Sequence, residues 1–576
     1  MYEELLKKRL CSMHERYDSD ICLISSIYEE QKKGYHSCME GYVHPTRDSA
    51  EYVSLIFATG DTEYYGRACD VLRSLVSLQD LRKDSNTRGV WPYLFEESLD
   101  EMIIPDENWA VFIGKIVAYV LKHHSHNLDN ELKVALEQSL DASISSVIRR
   151  NISTDYTNIS IMSMVFVLAA GEILSNDLYT SMGQDMLDKI VEYNVFNNDF
   201  SEFNSSTYTP LVLEDLALLT ILVEDKKCRE MAKKLSFIGW KELAEHYHVG
   251  MMQLAPPNKR AYRDLDDGSL RTFIHIGTEG KYGKVQLSPK VTDSWFWLPI
   301  RCPQELYTIF ENAERWLETV YYKKNNLRSP DENTIIVRNV DSPDLLAYTY
   351  ITPDYAMGAF DKTDLWNQRR TSMVVWGKEN PTYVRLRCIK DDYDYCSGMA
   401  YTAQYKNTFV TNLGFVTDHG DLHYILDKVK DGKLHAERLL FRLEFGGMLD
   451  NLQIKQDSNR FLVKVNDMEL ELTVFSAMFG GKTMEVLFNK EETSIDFICF
   501  KEKKEVDFNL LKDCYVAFSL VANGTVIGGT TRVQDTMLLT NVETKECTIK
   551  VNSPVDPLTY NEAIETVKTE VSIKAL

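Results

Sequence analysis

Glu202-Phe203-Asn204-Ser205-Ser206-Thr207-Tyr208-Thr209-Pro210 joins an acid, an amide, hydroxyls and a phenol between two helix-like stretches. A Tyr and an Asn at the opening of a helix can present a proton donor and an amide donor to a cavity, which is one way to handle a sugar. The same run also fits an ordinary helix start, with Ser206 or Thr207 as N-cap. Three other segments place polar groups at expected helix starts: Pro105-Asp106-Glu107-Asn108-Trp109, Asp155-Tyr156-Thr157-Asn158 and Arg260-Ala261-Tyr262-Arg263-Asp264. Capping accounts for Asp, Asn, Ser and Thr. It does not call for Trp109, Tyr208 or Tyr262. If equivalent helices point the same way, these groups converge on one cleft, lined by Asn108, Trp109, Asn158, Glu202, Arg260, Tyr262 and Asp264.

Among the 12 histidines, His123, His124 and His126 end one expected helix, and His246 and His248 another. A cation is favourable at such an end. His275 lies in the strand-like Thr272-Phe273-Ile274-His275-Ile276-Gly277, as a satisfied buried imidazole or as a general base suited to neutral pH. Asp418-His419-Gly420-Asp421-Leu422-His423 holds two imidazoles and two carboxylates, which suits zinc or a polar turn around Gly420. Trp366-Asn367-Gln368-Arg369-Arg370 offers a stacking ring, an amide and guanidiniums that can pair with a carboxylate, or a strand edge with solvated arginines. No phosphate-loop, dinucleotide, zinc-protease or serine-hydrolase motif stands in a convincing context.

The elements that must carry these residues change character along the chain. Up to about residue 250, apolar residues recur at helical spacing in Tyr2–Gln31, Ser49–Ala58, Thr62–Leu78, Trp109–Leu121, Glu131–Ile148, Ile159–Leu174, Met182–Tyr193, Leu211–Leu222 and Cys228–His246. Short connectors imply antiparallel hairpins, too many for one four-helix bundle and suited to a toroid. A breaker-rich crossing, Leu254-Ala255-Pro256-Pro257-Asn258-Lys259-Arg260, precedes an extended run at Leu270–Ile276 and a helical stretch at Pro303–Tyr321. From Thr334–Arg338 onward the pattern is strand upon strand, as in a large antiparallel sandwich. Helices followed by strands argue separate domains, 1–330 and 331–576.

The chain has 576 residues and a net charge of −22, so a polyanion-binding surface over the whole protein and a nucleic-acid partner are disfavoured. A local basic cleft for an acidic ligand remains open. The 31 Tyr and 8 Trp suit sugar-stacking clefts and β-sheet packing alike. Eleven scattered cysteines without CxxC pairs fit a reducing compartment. The N-terminus lacks an apolar secretory core and no apolar run is long enough to span a membrane. A cytoplasmic enzyme, with homo-oligomerisation open, is the expectation.

The order of hairpins, crossing and sandwich, with Asn204 and Tyr208 at a helix start, resembles the polysaccharide lyases built from an (α/α) toroid followed by a β-sandwich, the heparinase II/III-like and alginate-lyase-like members above all. The motifs that carry it are Asn108, Asn158, Asn204-x3-Tyr208, the Arg260-Ala261-Tyr262 region and Asp421-Leu422-His423. The resemblance implies β-elimination on an acidic, uronate-containing glycan with no cofactor required. It casts Tyr208 as acid and candidate base, Asn204 and Asn108 as carboxylate neutralisers, His275 as partner base, and Arg260 or Tyr262 as subsite contacts. Trp366 and Arg369 join the substrate-binding set. Some members bind zinc in the sandwich, which marks Asp418, His419, Asp421 and His423 as candidate ligands. The Asn-His pair that opens a toroid helix in many of those lyases is missing. Two other readings stand beside the lyase: a glycoside hydrolase using two of Glu107, Glu202, Asp264 and Asp266, and a non-catalytic glycan-binding protein.

Overall fold

The computed structural model describes residues 2–28, 41–321, 345–419 and 431–574. The chain divides into two compact units: Met1–Glu202 with Tyr208–Trp240 and Thr272–Pro303, and Phe203–Thr207 with Lys241–Arg271 and Gln304–Leu576.

The first unit is helical, with α1 (Glu3–His14), α2 (Thr46–Thr59), α3 (Tyr65–Leu78), α4 (Trp109–His124), α5 (Asn130–Arg150), α6 (Thr157–Ile173), α7 (Asp177–Asn197) and α8 (Tyr208–Leu222). α9 (Lys226–His246) and α10 (Ser269–Gly277) each run across the division between the units. α2, α4, α6 and α8 pack side by side as an inner layer, and α3, α5 and α7 each pack back on the inner helix that precedes them. The burial of α6 explains its place: every residue from Thr157 to Gly171 is buried, as expected of a helix apolar on all sides. Gly114 of α4 lets the Phe166 ring of α6 approach where a Cβ would stand 2.7 Å from it.

Contacts match starts with starts. Arg47 at the start of α2 lies 4.4 Å over the Phe112 ring in the first turn of α4, and Phe57 near the end of α2 stacks on His124 at the end of α4. Lys115 in α4 pairs with Asp215 in α8 at 2.7 Å. Lys122 near the end of α4 reaches Glu172 at the end of α6, and His123 meets the Ile221 carbonyl near the end of α8. The four inner helices therefore run parallel, with their N-termini at one rim: an (α/α) toroid arrangement.

The second unit is β-rich. An antiparallel sheet runs in the order 485–489, 494–500, 439–447, 382–390, 372–376, 355–360, 345–351, 315–321. A second antiparallel sheet runs 362–364, 398–405, 408–415, 515–522, 468–479, 460–465, 453–457. Their inner faces share one core, with Met357, Val374 and Phe441 from the first and Phe409, Phe461 and Phe518 from the second. A four-stranded sheet at 528–573 packs on Tyr401 and Val410 of the second sheet through Val542, Ile549 and Val551.

Three expectations fail. Leu270–Ile276 is helical, not extended: Leu270, Phe273 and Ile274 are fully buried at helical spacing, and Asp266 accepts the Leu270 N–H at 2.9 Å. The β-branched content of the run misleads, and the apolar period decides. Pro303–Tyr321 is helical only at Tyr307–Glu311. Arg315–Tyr321 is a strand because Leu345–Ile351 pairs with it along its whole length, a partner that local propensity cannot reveal. The first helix stops at His14, where Arg16–Ser25 turns back as a short hairpin. Thr334–Arg338 lies outside the described residues.

Candidate functional site

The rim of the helical unit brings together Asn108, Trp109, Asn158 and Tyr208. Asn108 and Trp109 open α4. The Asn108 backbone N–H donates to Asp106 (2.8 Å), and its Oδ1 accepts from Arg150 Nη1 (2.6 Å). Its side-chain NH2 has no hydrogen-bond partner among the described residues. Trp109 packs edge-on against Tyr93 (3.8 Å) and Phe112 (5.3 Å), and its indole N–H is buried without a partner among the described residues. Asn158 opens α6 and is gripped by Glu202: its Nδ2 donates to both carboxylate oxygens (2.9 and 2.7 Å) and its backbone N–H to one of them (2.8 Å). Both residues are buried. Tyr208, half-buried, is the first residue of α8.

Below this rim lies a charge cluster that sequence patterning did not single out. Lys115 Nζ sits 2.7 Å from Asp215 and 3.9 Å from Glu214. Glu214 accepts from Ser294 Oγ (2.8 Å) and Trp295 Nε1 (2.9 Å). Burial, only partly offset by Lys115, pushes the Asp215 carboxyl up to about 6. Burial opposes the Lys115 charge, but Asp215 and Glu214 outweigh it and raise the ammonium's proton affinity. Arg47 pairs with Glu51 at 2.9 Å. The available signal was a charge inside an apolar helix: Lys115 within Phe112-Ile113-Gly114-Lys115-Ile116-Val117, and Glu214-Asp215 within Leu213-Glu214-Asp215-Leu216.

His275 lies in the last turn of α10, beside Gly280. Its Nδ1 is buried without a hydrogen-bond partner among the described residues.

The remaining expected residues belong to the β-rich unit. Asn204, fully buried, takes a left-handed backbone (φ 52°), which Asn tolerates better than most residues. Its Nδ2 donates to the carbonyls of Ala255 (2.7 Å) and Pro257 (2.8 Å). Both amide hydrogens are thus occupied, so here Asn204 ties a loop together instead of offering a donor to a carboxylate. Arg260 lies 5.4 Å over the Trp366 ring and donates to Gln368 Oε1 (2.9 Å), while Arg369 approaches the same ring at 5.8 Å. Residues 106 apart in sequence, Arg260 and Trp366, thus form one aromatic platform that a second guanidinium, Arg369, also flanks. Tyr262 is exposed. Asp264 is held by Arg370 (2.5 Å) and Arg385 (3.0 Å).

His419 stacks on Tyr560 (4.4 Å) and places Nε2 3.5 Å from the buried carboxylate of Asp364. Asp418 accepts the Tyr560 N–H (2.9 Å). Asp421 and His423 lie outside the described residues. Among the described residues no cluster of three or more His, Cys, Asp or Glu could hold a metal. No described helix is long and apolar enough to cross a membrane. Of the carboxylates considered for hydrolysis, Glu107 pairs with Arg149 (3.0 Å) and Asp266 with Arg271 (2.7 Å).

Residues 3–267 match a family described as a domain of unknown function, DUF8769. No curated protein sequence matches the chain. Among solved structures, a heparinase III gene product is similar at a TM-score of 0.35 and 8% identity, covering 92% of this chain and 84% of that one. The heparan sulfate lyase HepC from Pedobacter heparinus is similar at 0.35 and 9%, covering 89% and 82%. At these scores the likeness carries no weight for the reaction.

Proposed function

We propose that the chain is a carbon–oxygen lyase that cleaves a uronate-containing glycan by β-elimination. The observation that supports this reading is the parallel run of the inner helices, which gathers Asn108, Trp109, Asn158 and Tyr208 at one rim. In β-elimination a base takes the proton α to the uronate carboxylate. The electron pair forms a carbon–carbon double bond, and the 4-O bond breaks as its oxygen receives a proton. Negative charge builds on the carboxylate in between, and fixed donors must meet it. Four helix N-termini supply positive potential at the rim, and the Asn108 amide, anchored through its oxygen by Arg150, has its NH2 available to the carboxylate. Glu202 fixes Asn158 at the start of the neighbouring helix. Tyr208 hands a proton to the leaving oxygen, and the partly exposed Trp109 ring offers an apolar edge to the sugar.

The product carries a conjugated double bond and absorbs in the ultraviolet. Incubation with a panel of acidic and neutral glycans should generate that absorbance from uronate-containing members alone. Tyr208→Phe should lower turnover at least about 100-fold, within the range of general acid–base contributions, with an unchanged thermal transition. Full activity in Tyr208→Phe would exclude the mechanism. New reducing ends without the chromophore would mean hydrolysis, and binding without turnover a glycan-binding protein.

A further inference from the structure

We infer that the charge cluster beneath the rim is a subsite for an uncharged sugar unit of the glycan, recognised through its hydroxyls. The inference rests on the glycan reading above but not on elimination. It is carried by Arg47, Glu51, Phe112, Lys115 and Asp215, residues drawn from three parallel inner helices.

Position comes first. Lys115 follows Asn108 by seven residues, and Asp215 follows Tyr208 by seven, so each lies two turns below its rim residue on the same helix face. That is about 10 Å along the axis, roughly two turns of pitch. Protein surrounds the Arg47 guanidinium closely enough for burial to be the largest influence on its proton affinity, with Glu51 and Glu214 outweighing it. Yet 35% of the Arg47 side chain and 37% of Glu51 stay exposed. The Arg47 side chain thus packs on the Phe112 ring at 4.4 Å and is still reached by solvent.

Unused hydrogen-bonding capacity then sets the ligand chemistry. Arg47 uses one N–H, on Glu51, and among the described residues its two terminal nitrogens have no hydrogen-bond partner. Lys115 uses one of three, on Asp215. Asp215 Oδ2 is buried with no partner, in a residue only 1% exposed. Leaving such an oxygen dry and unpaired is costly. The site therefore presents several donors beside acceptors, which matches hydroxyls, groups that donate and accept at once. Charge decides against an acidic group: two cations stand against three carboxylates, Glu51, Glu214 and Asp215. An incoming carboxylate or sulfate would meet a cluster with no cationic surplus.

Ligand-detected NMR on the intact chain tests this, with methyl glucoside and N-acetylglucosamine as uncharged probes and glucuronic acid as the charged one. Arg47→Gln and Glu51→Gln alter half-exposed positions, and a matching thermal transition verifies their folding. Each should weaken binding of an uncharged probe about tenfold, as expected on losing a charge-assisted hydrogen bond, while glucuronic acid is unaffected. Failure of both uncharged probes to bind the unaltered chain would overturn the inference, as would undiminished binding in both variants. Loss of glucuronic acid binding alone in Arg47→Gln would overturn it in favour of an acidic-group site. Because the readout is binding, these results stand whether or not the ultraviolet product is found.

Discussion

In the helical unit Asp215 faces one ammonium and a neighbouring carboxylate, whereas in the β-rich unit Glu444 lies between two guanidiniums, Arg385 and Arg387. Burial works against both acids. It prevails at Asp215, whose carboxyl is pushed up to about 6. It loses at Glu444, where Arg385 and then Arg387 hold the carboxyl below its usual range. The difference lies in the count and type of partners: a planar fork offers parallel donors that a single ammonium cannot. The β-rich unit extends this into a chain of alternating sign, Arg370–Asp264–Arg385–Glu444–Arg387–Asp394. One unit leaves a buried Asp215 oxygen without a hydrogen-bond partner among the described residues; the other alternates its charges so that each inner member touches two of opposite sign.

The largest effect should come from breaking the alternating chain. Glu444→Leu leaves Arg385 and Arg387 facing each other without their shared carboxylate in a mostly buried position. An uncompensated buried charge costs about 3–5 kcal/mol, and because Arg385 keeps Asp264 and Arg387 keeps Asp394 the loss should reach about 2–3 kcal/mol, below or at the low end of that range. Denaturant unfolding followed by far-ultraviolet circular dichroism would measure it. A loss under about 1 kcal/mol, the scale of an exposed pair, would remove the contrast between the units.

A smaller, pH-dependent effect should come from the unsatisfied set. The folded Asp215 carboxyl titrates near 6 against an ordinary 3.8. Between those values the folded state binds more protons than the unfolded one, so stability is greatest at the acid end and falls as pH rises towards 6. The span corresponds to at most about 3 kcal/mol at 1.36 kcal/mol per unit. Asp215→Asn keeps the shape and removes the charge, and should flatten the melting temperature of the helical unit across pH 4–6. An equal slope in that variant would place the titration elsewhere.

The contrast also separates what sequence could and could not convey. Inner helices were legible because Ile159–Leu174 and Leu211–Leu222 are apolar at helical spacing, and their rim residues follow from helix starts. Strands such as Thr408–Phe415 were legible through alternation and β-branching. Arg260 beside Trp366 was not, because 106 positions separate them and only the fold closes that gap. The Asn204 role was hidden for a related reason: its donors meet carbonyls of Ala255 and Pro257, some 50 residues on. Lys115 and Asp215 stood in plain view as charges within apolar runs, but their pairing depends on α4 and α8 being parallel.

The smallest effect should be at the Arg260–Trp366 platform. Trp366 is only partly buried, and Arg260 lies over its ring at 5.4 Å. Arg260→Lys keeps the charge but loses the planar guanidinium that stacks and reaches Gln368 with two nitrogens. An exposed cation–π contact is worth about 0.5–1 kcal/mol, so unfolding stability should fall by less than about 1 kcal/mol. Trp366→Phe should cost similarly little and erase most of the Arg260→Lys penalty in the double variant, since each substitution disturbs the same contact. Additive penalties would mean that Arg260 acts through Gln368 and the adjoining Ser205–Arg260 backbone contact, not through the ring. The platform would then belong with the alternating charge network of the β-rich unit, not with the groups left open to a ligand.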